Sequence, residues 1–190
     1  GKASWSYAYS SWANGETYTV VSRATDYTIP PNVEDTSAKP GVTFSFDDPV
    51  TGKPSSVVAN PANGSRSNSL TTINGTCLDN IQVAKVEIRI KDTSFNKYWT
   101  GNYSGTIWDN NETWVLVTLD GQKTGWNITP PTLDDPITYE ILTRATDNSI
   151  PGGGNVEATG SKQPAMFTSD KTVPDSTVTV PAPDQIKLLT

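Results

Sequence analysis

Five oxygen-bearing side chains, Asp47, Asp48, Asp79, Asp147 and Asn155, come from three separate stretches of the sequence, each rich in Asp, Asn, Gly or Pro. Brought to one point they would suit Ca²⁺, a hard cation that takes about six to eight oxygens in flexible geometry. The competing reading is turn chemistry, in which Asp and Asn side chains satisfy backbone N–H groups a few residues on. No EF-hand loop is present. The neighbouring acids Asp134 and Asp135 also read as turn residues, since glycosidase chemistry needs two carboxylates facing across a cleft. The chain has no His, which removes Ser-His-Asp and Cys-His catalysis and any His-ligated metal. Its one Cys, Cys77, can form neither an internal disulfide nor a thiolate cluster, and reads as a small buried residue. No catalytic constellation is left, and the chain is expected not to be an enzyme.

A second set of candidates is aromatic. Tyr98, Trp99, Tyr103 and Trp108 crowd one stretch ahead of Trp114. Exposed, they could stack on surface glycans or on a neighbouring chain; buried, several would fill the core. Sequons stand at Asn63, Asn74, Asn102, Asn111 and Asn127, with Asn102 and Asn111 best placed for exposed loops. The 14 Lys and Arg against 20 Asp and Glu give a net charge of −6, which argues against a nucleic-acid backbone as partner. No apolar run is long enough to span a membrane. Ser and Thr together supply 45 of 190 residues, a composition common in extracellular and cell-surface β proteins. The sequence opens at Gly1 rather than Met and reads as a processed product or a piece of something longer.

The elements that position these groups follow from an internal repeat. Tyr18-Thr-Val-Val-Ser-Arg-Ala-Thr-Asp26 returns as Tyr139-Glu-Ile-Leu-Thr-Arg-Ala-Thr-Asp147, an offset of 121 residues that Trp5 and Trp126, and Ile29-Pro30 and Ile150-Pro151, share. After a slip of two, Asn32-Val-Glu34 matches Asn155-Val-Glu157, and Phe44 and Asp47 match Phe167 and Asp170. Residues 54–61 (PSSVVANP) resemble 174–181 (PDSTVTVP). The division is therefore 1–53, the C-terminal part of one unit; 54–173, a complete unit; and 174–190, the first-strand region of the next. Strands are expected at 55–59, 69–77, 83–90, 97–101, 113–119, 137–146 and 157–168, separated by Gly, Asn, Asp and Pro clusters. In 83–90, Val83, Lys85, Glu87 and Arg89 form the wet set, and Ala84, Val86, Ile88 and Ile90 the buried set. Seven strands in one unit predict a two-sheet sandwich.

The repeat elements Pro61-Ala-Asn-Gly64, Ile73-Asn-Gly-Thr-Cys-Leu-Asp79, Tyr139…Arg144-Ala-Thr-Asp147, Asn155-Val-Glu157 and Phe167-Thr-Ser-Asp170…Pro174 resemble the tandem Ig-like repeats of large prokaryotic surface and secreted proteins. The resemblance covers nearly the whole chain. The Pro151-Gly-Gly-Gly154 turn and the aromatic stretch depart from it. It implies an all-β fold, tandem Ig-like β-sandwiches in an extended array. Trp126, Tyr139 and Arg144 would then be structural, with Tyr139 as a corner residue and Asp147 capping the turn after its strand. The short, Pro-containing junctions at 47–54 and 170–174 predict restricted angles between units. In that topology Asp47, Asp48, Asp79, Asp147 and Asn155 meet at one junction, the place for a Ca²⁺ cofactor, and Asp170 opens the next. Function is read as a non-enzymatic segment of an extracellular filament, stalk or adhesin. Its partners are neighbouring repeats or identical subunits, and strand exchange could complete the partial units. The alternatives are a carbohydrate-binding or spacer module of a secreted polysaccharide-degrading enzyme, with glycan on the aromatic patch, and a virion fibre decoration.

Overall fold

A computed structural model describes residues 4–149 and 154–178. The match of Ile150-Pro151, the turn at 151–153 and the end of the 174–181 resemblance lie outside the described residues. Thirteen strands and no helix occur among those described. Among the described residues no helix is long and apolar enough to cross a membrane.

Strands β1 (Thr17–Val20) and β2 (Val42–Ser45) form a two-stranded antiparallel sheet of their own. The remaining strands build two facing sheets. One has the order β10 (Thr118–Leu119), β11 (Gly125–Ile128), β5 (Ile73–Leu78), β3 (Ser55–Asn60). The other runs β4 (Ser65–Ser67), β13 (Ala165–Ser169), β12 (Ile137–Asp147), β6 (Val83–Asp92), β7 (Lys97–Trp99), β8 (Trp108–Asp109). Strand β9 (Val115–Leu116) joins the same edge of β6 that β7 uses further along. The chain then crosses to the first sheet as β10, pinned on the way by Val117 N donating to Val86 O at 3.1 Å.

Alternation explains the core. On β12, Tyr139, Ile141, Thr143 and Ala145 point inward; on β6, Val86, Ile88 and Ile90 meet them. Trp126 and Ile73 close the core from the facing sheet, with Phe167 beside Tyr139. Cys77 is buried among them, and its thiol donates to Lys123 O at 3.3 Å. Val83 departs from the expected wet set. The β6–β12 register slips between Thr146 and Asp147, skipping Ala84, and this bulge turns Val83 into the core. Trp126 lies on a strand that the sequence reading did not mark, and the last strand is the short β13 rather than 157–168.

The outer face of the larger sheet is polar and layered. Arg144 faces away from Tyr139, as their spacing of five requires. Its Nε donates to Glu87 at 2.9 Å, and its guanidinium lies 4.4 Å from the Trp114 ring. Burial works against the charge of Glu87, yet Arg144 and Lys85 hold its carboxyl below the ordinary range.

Candidate functional site: a polar clasp and a unit junction

Beyond β12 in sequence, Glu157 and Lys162 lie back against β3. Lys162 Nζ donates to Glu157 Oε1 at 2.7 Å, to Thr143 O at 2.9 Å and to Ser56 Oγ at 2.9 Å. Glu157 in turn accepts from Ala145 N at 2.9 Å and from Ser56 N at 3.0 Å. The clasp ties the first strand of the unit to its longest one across the two sheets. Burial pushes the Lys162 ammonium below its ordinary value against the pull of Glu157. Asp147 Oδ1 closes the adjoining loop by accepting from Ser149 N and Asn155 N at 2.9 and 2.8 Å. The Tyr139 hydroxyl accepts from Asp134 N at 2.8 Å, and desolvation of the ring pushes its pKa up to about 12.

Residues 4–53 repeat this arrangement, apart from the bonds that Ser56 makes. Lys39 Nζ donates to Glu34 Oε1 at 2.7 Å and to Ser22 O at 3.2 Å. Glu34 Oε2 accepts from Ala24 N at 2.9 Å. Asp26 Oδ1 accepts from Thr28 N and Asn32 N at 3.1 and 2.8 Å. The Tyr18 hydroxyl accepts from Ala13 N at 2.8 Å. Tyr18 opposes Phe44 as Tyr139 opposes Phe167. What differs is cover. Trp126 and Phe167 are 2% and 1% exposed; their counterparts Trp5 and Phe44 are 66% and 36% exposed. Among the described residues nothing stands to the Lys39–Glu34 pair as Ser56 stands to Lys162 and Glu157.

The two parts meet around Asp47. Its Oδ1 accepts from Asn80 Nδ2 at 3.2 Å and its Oδ2 from Asn155 Nδ2 at 2.8 Å. Asn14 Oδ1 accepts from Asp48 N at 2.8 Å and from Asn80 Nδ2 at 3.2 Å. Gly52 packs so tightly that a Cβ there would fall 1.9 Å from Asp47 Oδ1. Desolvation, with Asp147 and Asp79 nearby, raises the Asp47 carboxyl above the ordinary range. Asp147 is also buried, but Ser149 and Asn155 hold it low.

A family model described as bacterial Ig domain matches residues 54–182. The chain belongs to the bacterial Ig domain family. Comparison with curated proteins gave no match. Domains of this family are generally non-catalytic and are often found in surface or extracellular proteins.

Around this Ig domain the expected ligand residues separate. Asp47, Asp79, Asp147 and Asn155 lie at the junction, but the Asp48 side chain is spent on its own turn, accepting from Val50 N at 2.7 Å. Asp79 Oδ2 caps Ile81 N at 2.9 Å. Asp79 Oδ1 and Asp147 Oδ2 are buried with no partner. Among the described residues, no three acidic side chains form a ready metal cage.

The aromatic patch needs correcting. Trp99 is a core residue, because β7 alternates and puts Tyr98 outward and Trp99 inward. Trp108 is half-buried and stacks on Tyr139 at 5.4 Å. Tyr98 lies over Arg89 and Lys91 on the outer face. Tyr103 is exposed, with its hydroxyl donating to Thr129 O at 2.8 Å. The four rings therefore make no common flat platform. Of the sequon residues, Asn63, Asn102, Asn111 and Asn127 are exposed and Asn74 is half-buried on β5.

The clasp was missed by sequence reasoning. Its signal was present: Lys follows Glu by five residues in both units, at Glu34 and Lys39 and at Glu157 and Lys162.

Proposed function

We propose that this chain is a structural segment of an extracellular surface array, in which Ig-like units stand end to end at restricted angles. Neighbouring repeats or identical subunits are its partners, and strand exchange completes units left open. One observation carries this reading. Residues 4–53 reproduce the clasp, the Asp cap and the Tyr corner of the complete unit, and the two are joined by side-chain bonds through Asn14, Asp47, Asn80 and Asn155 rather than by a loose tether. A motif that recurs together with its hydrogen bonds is architectural. The longest strand has 11 residues, so each unit adds about 40 Å. Electron microscopy of the native parent material tests this: rods with an axial repeat of about 40 Å are expected, and compact particles without one would overturn it.

At the joint a cation is a second reading, favoured by the buried and unpartnered Asp79 Oδ1 and Asp147 Oδ2. The donors fit a hard cation in part, since Asp48 and the Asn155 amide are already engaged. Asp47, Asp79 and Asp147 form no ready cage as they stand, and would have to draw together around Ca²⁺, which would relieve their mutual repulsion and stiffen the joint. Thermal unfolding with Ca²⁺ and then with excess chelator decides: a higher midpoint with Ca²⁺, lost in D147N, is expected, and identical curves would end the reading.

A further inference from the structure

The outer face of the larger sheet carries a ladder of alternating cations and rings that neither the clasp nor the joint uses. The Trp114 ring lies 4.4 Å from the Arg144 guanidinium and 5.8 Å from that of Arg89. The Tyr98 ring lies 5.7 Å from the Arg89 guanidinium and 5.8 Å from Lys91 Nζ. The order is therefore Arg144, Trp114, Arg89, Tyr98, Lys91, and all five are half-buried. This face belongs wholly to the complete unit. Strand β12 is paired by β6 and β13, and β6 by β12 on one side and by β7 and β9 on the other.

The acids around the ladder are already engaged. Glu87 accepts from Arg144 Nε at 2.9 Å and pairs with Lys85 at 3.3 Å. Glu112 accepts from Trp114 Nε1 at 2.9 Å and from Arg89 at 3.3 Å. Glu140 lies 3.8 Å from Arg89, and Asp109 Oδ1 accepts from Asn111 N at 2.7 Å. Arg89, in the middle, is thus neutralised, and the donors left over stand at the two ends. Among the described residues the terminal nitrogens of Arg144 make no hydrogen bond, only its Nε being used, and Lys91 Nζ has neither hydrogen bond nor ion pair. Arg144 stands opposite Glu87, and Lys91 opposite Glu140. The two free charges are therefore offset by the four residues from Glu87 to Lys91, about 14 Å along the sheet.

Two such cations with rings between them suit a ligand that carries anionic groups at intervals and flat apolar faces between. A guanidinium whose Nε is held and whose plane lies against an indole is preorganised for the fork of a carboxylate. A sugar ring offers a C–H face to Trp114 and Tyr98. An extended peptide fits worse, because neither β6 nor β12 has a free edge for backbone pairing. A nucleic acid, with a phosphate at every step, would meet the four interleaved acids.

We propose that this face binds an acidic polysaccharide in which carboxylate-bearing sugars are separated by neutral ones, with one carboxylate on Arg144 and another at Lys91. The site is built inside one unit, so it is independent of how units are stacked, and it makes the unit adhesive as well as structural.

Affinity electrophoresis of the chain in gels containing hyaluronan tests this, with dextran as the uncharged control. The chain should be retarded by hyaluronan and not by dextran. Arg144→Gln should weaken binding about tenfold, since a charge-assisted fork is lost, and Lys91→Gln about threefold. Lys53→Gln removes an exposed cation away from this face and should bind as the parent chain does. Arg144 also holds Glu87, so thermal unfolding of each variant is compared; Lys91→Gln should keep the parent midpoint, and its weaker binding then reports the site alone. No retardation of the parent chain by hyaluronan, equal retardation by dextran, or equal losses in K53Q and K91Q would overturn the proposal. So would binding as tight to polyacrylate, which has the carboxylates without the sugar rings.

Discussion

The two clasps allow a controlled test of what burial does to an ion pair. Lys162–Glu157 and Lys39–Glu34 have the same 2.7 Å separation, but side-chain exposure is 19% and 11% in the first pair and 34% and 37% in the second. Lys162→Met removes a cation that also bonds Ser56 and Thr143, and it strands the Glu157 carboxylate in a poorly solvated place. Breaking a fully buried pair costs about 3–5 kcal/mol. Glu157 keeps its Ser56 and Ala145 donors, so the expected loss is about 2–3 kcal/mol. For a unit of this size that lowers the thermal midpoint by roughly 8–15 °C. Adding Glu157→Gln should recover part of the loss, because the stranded charge is gone. Lys39→Met makes the same chemical change in the open copy and should cost far less, because solvent screens the exposed pair, read as hydrogen exchange of the Ala24 and Glu34 amides. A K162M loss below about 1 kcal/mol, or a K39M effect as large as that of K162M, would refute the claim that cover by β3 sets the strength of the clasp.

Three further outcomes are expected. Tyr139→Phe leaves Asp134 N without its acceptor and should cost about 1–2 kcal/mol in denaturant unfolding. In the parent chain, folding holds the Tyr139 proton, its pKa rising from 10.0 to about 12. Stability should therefore fall as pH rises from about 10 to about 12, and Y139F should flatten that limb. Glu87 has the opposite sign. Its carboxyl is held below the ordinary range, so its contribution is complete above that range and lost as pH falls through the lower folded value. Glu87→Gln should make the acid limb shallower in a urea titration across pH. Gly52→Ala puts a Cβ against Asp47 Oδ1 and Asp48 O; limited proteolysis should cut near the junction several-fold faster while the sandwich unfolds at an unchanged midpoint.

The sequence carried the architecture because its periodicities are physical. Alternation marked β6 and β12, and the 121-residue offset aligned Tyr18 and Asp26 with Tyr139 and Asp147, which make like hydrogen bonds. It carried less of the side-chain detail. Val83 escaped because a bulge reverses strand phase without any residue type to announce it. Trp99 and Trp108 escaped because an aromatic residue has the same composition signal on a surface as in a core, and only the pairing of β7 with β6 and β8 decides. The clasp bridges Ser56 and Glu157, 101 residues apart, a contact that no local pattern encodes. Its mark was the Glu-to-Lys spacing of five repeated in both units, legible only once the units are laid over each other.

That superposition also exposes a paired exchange at the joints. Asn14 and Asp48 hold the first: Asp48 N donates to Asn14 Oδ1 at 2.8 Å. Their counterparts at the second are Asp135 and Lys171, where Lys171 N donates to Asp135 Oδ1 at 2.6 Å and Lys171 Nζ reaches Leu133 O. The backbone bond is the same in both. The residue types change together, an amide and an acid in one and an acid and a base in the other, while the charged ends bond elsewhere: Asp48 Oδ1 to Val50 N, Lys171 Nζ to Leu133 O and Asp135 Oδ2 to Thr172 Oγ1. The physical reason is like-charge avoidance, since a carboxylate at position 14 would add to Asp47 and Asp48 within one turn. Asn14→Asp should therefore loosen the first joint slightly, as exposed charge effects do, seen as faster exchange of the Asp48 amide. Asp48→Lys in the same chain should restore protection, because it removes one of the like charges and supplies the base that stands at position 171. If N14D alone leaves Asp48 exchange unchanged, or D48K does not rescue it, the joint is held by backbone geometry and the paired exchange carries no energy.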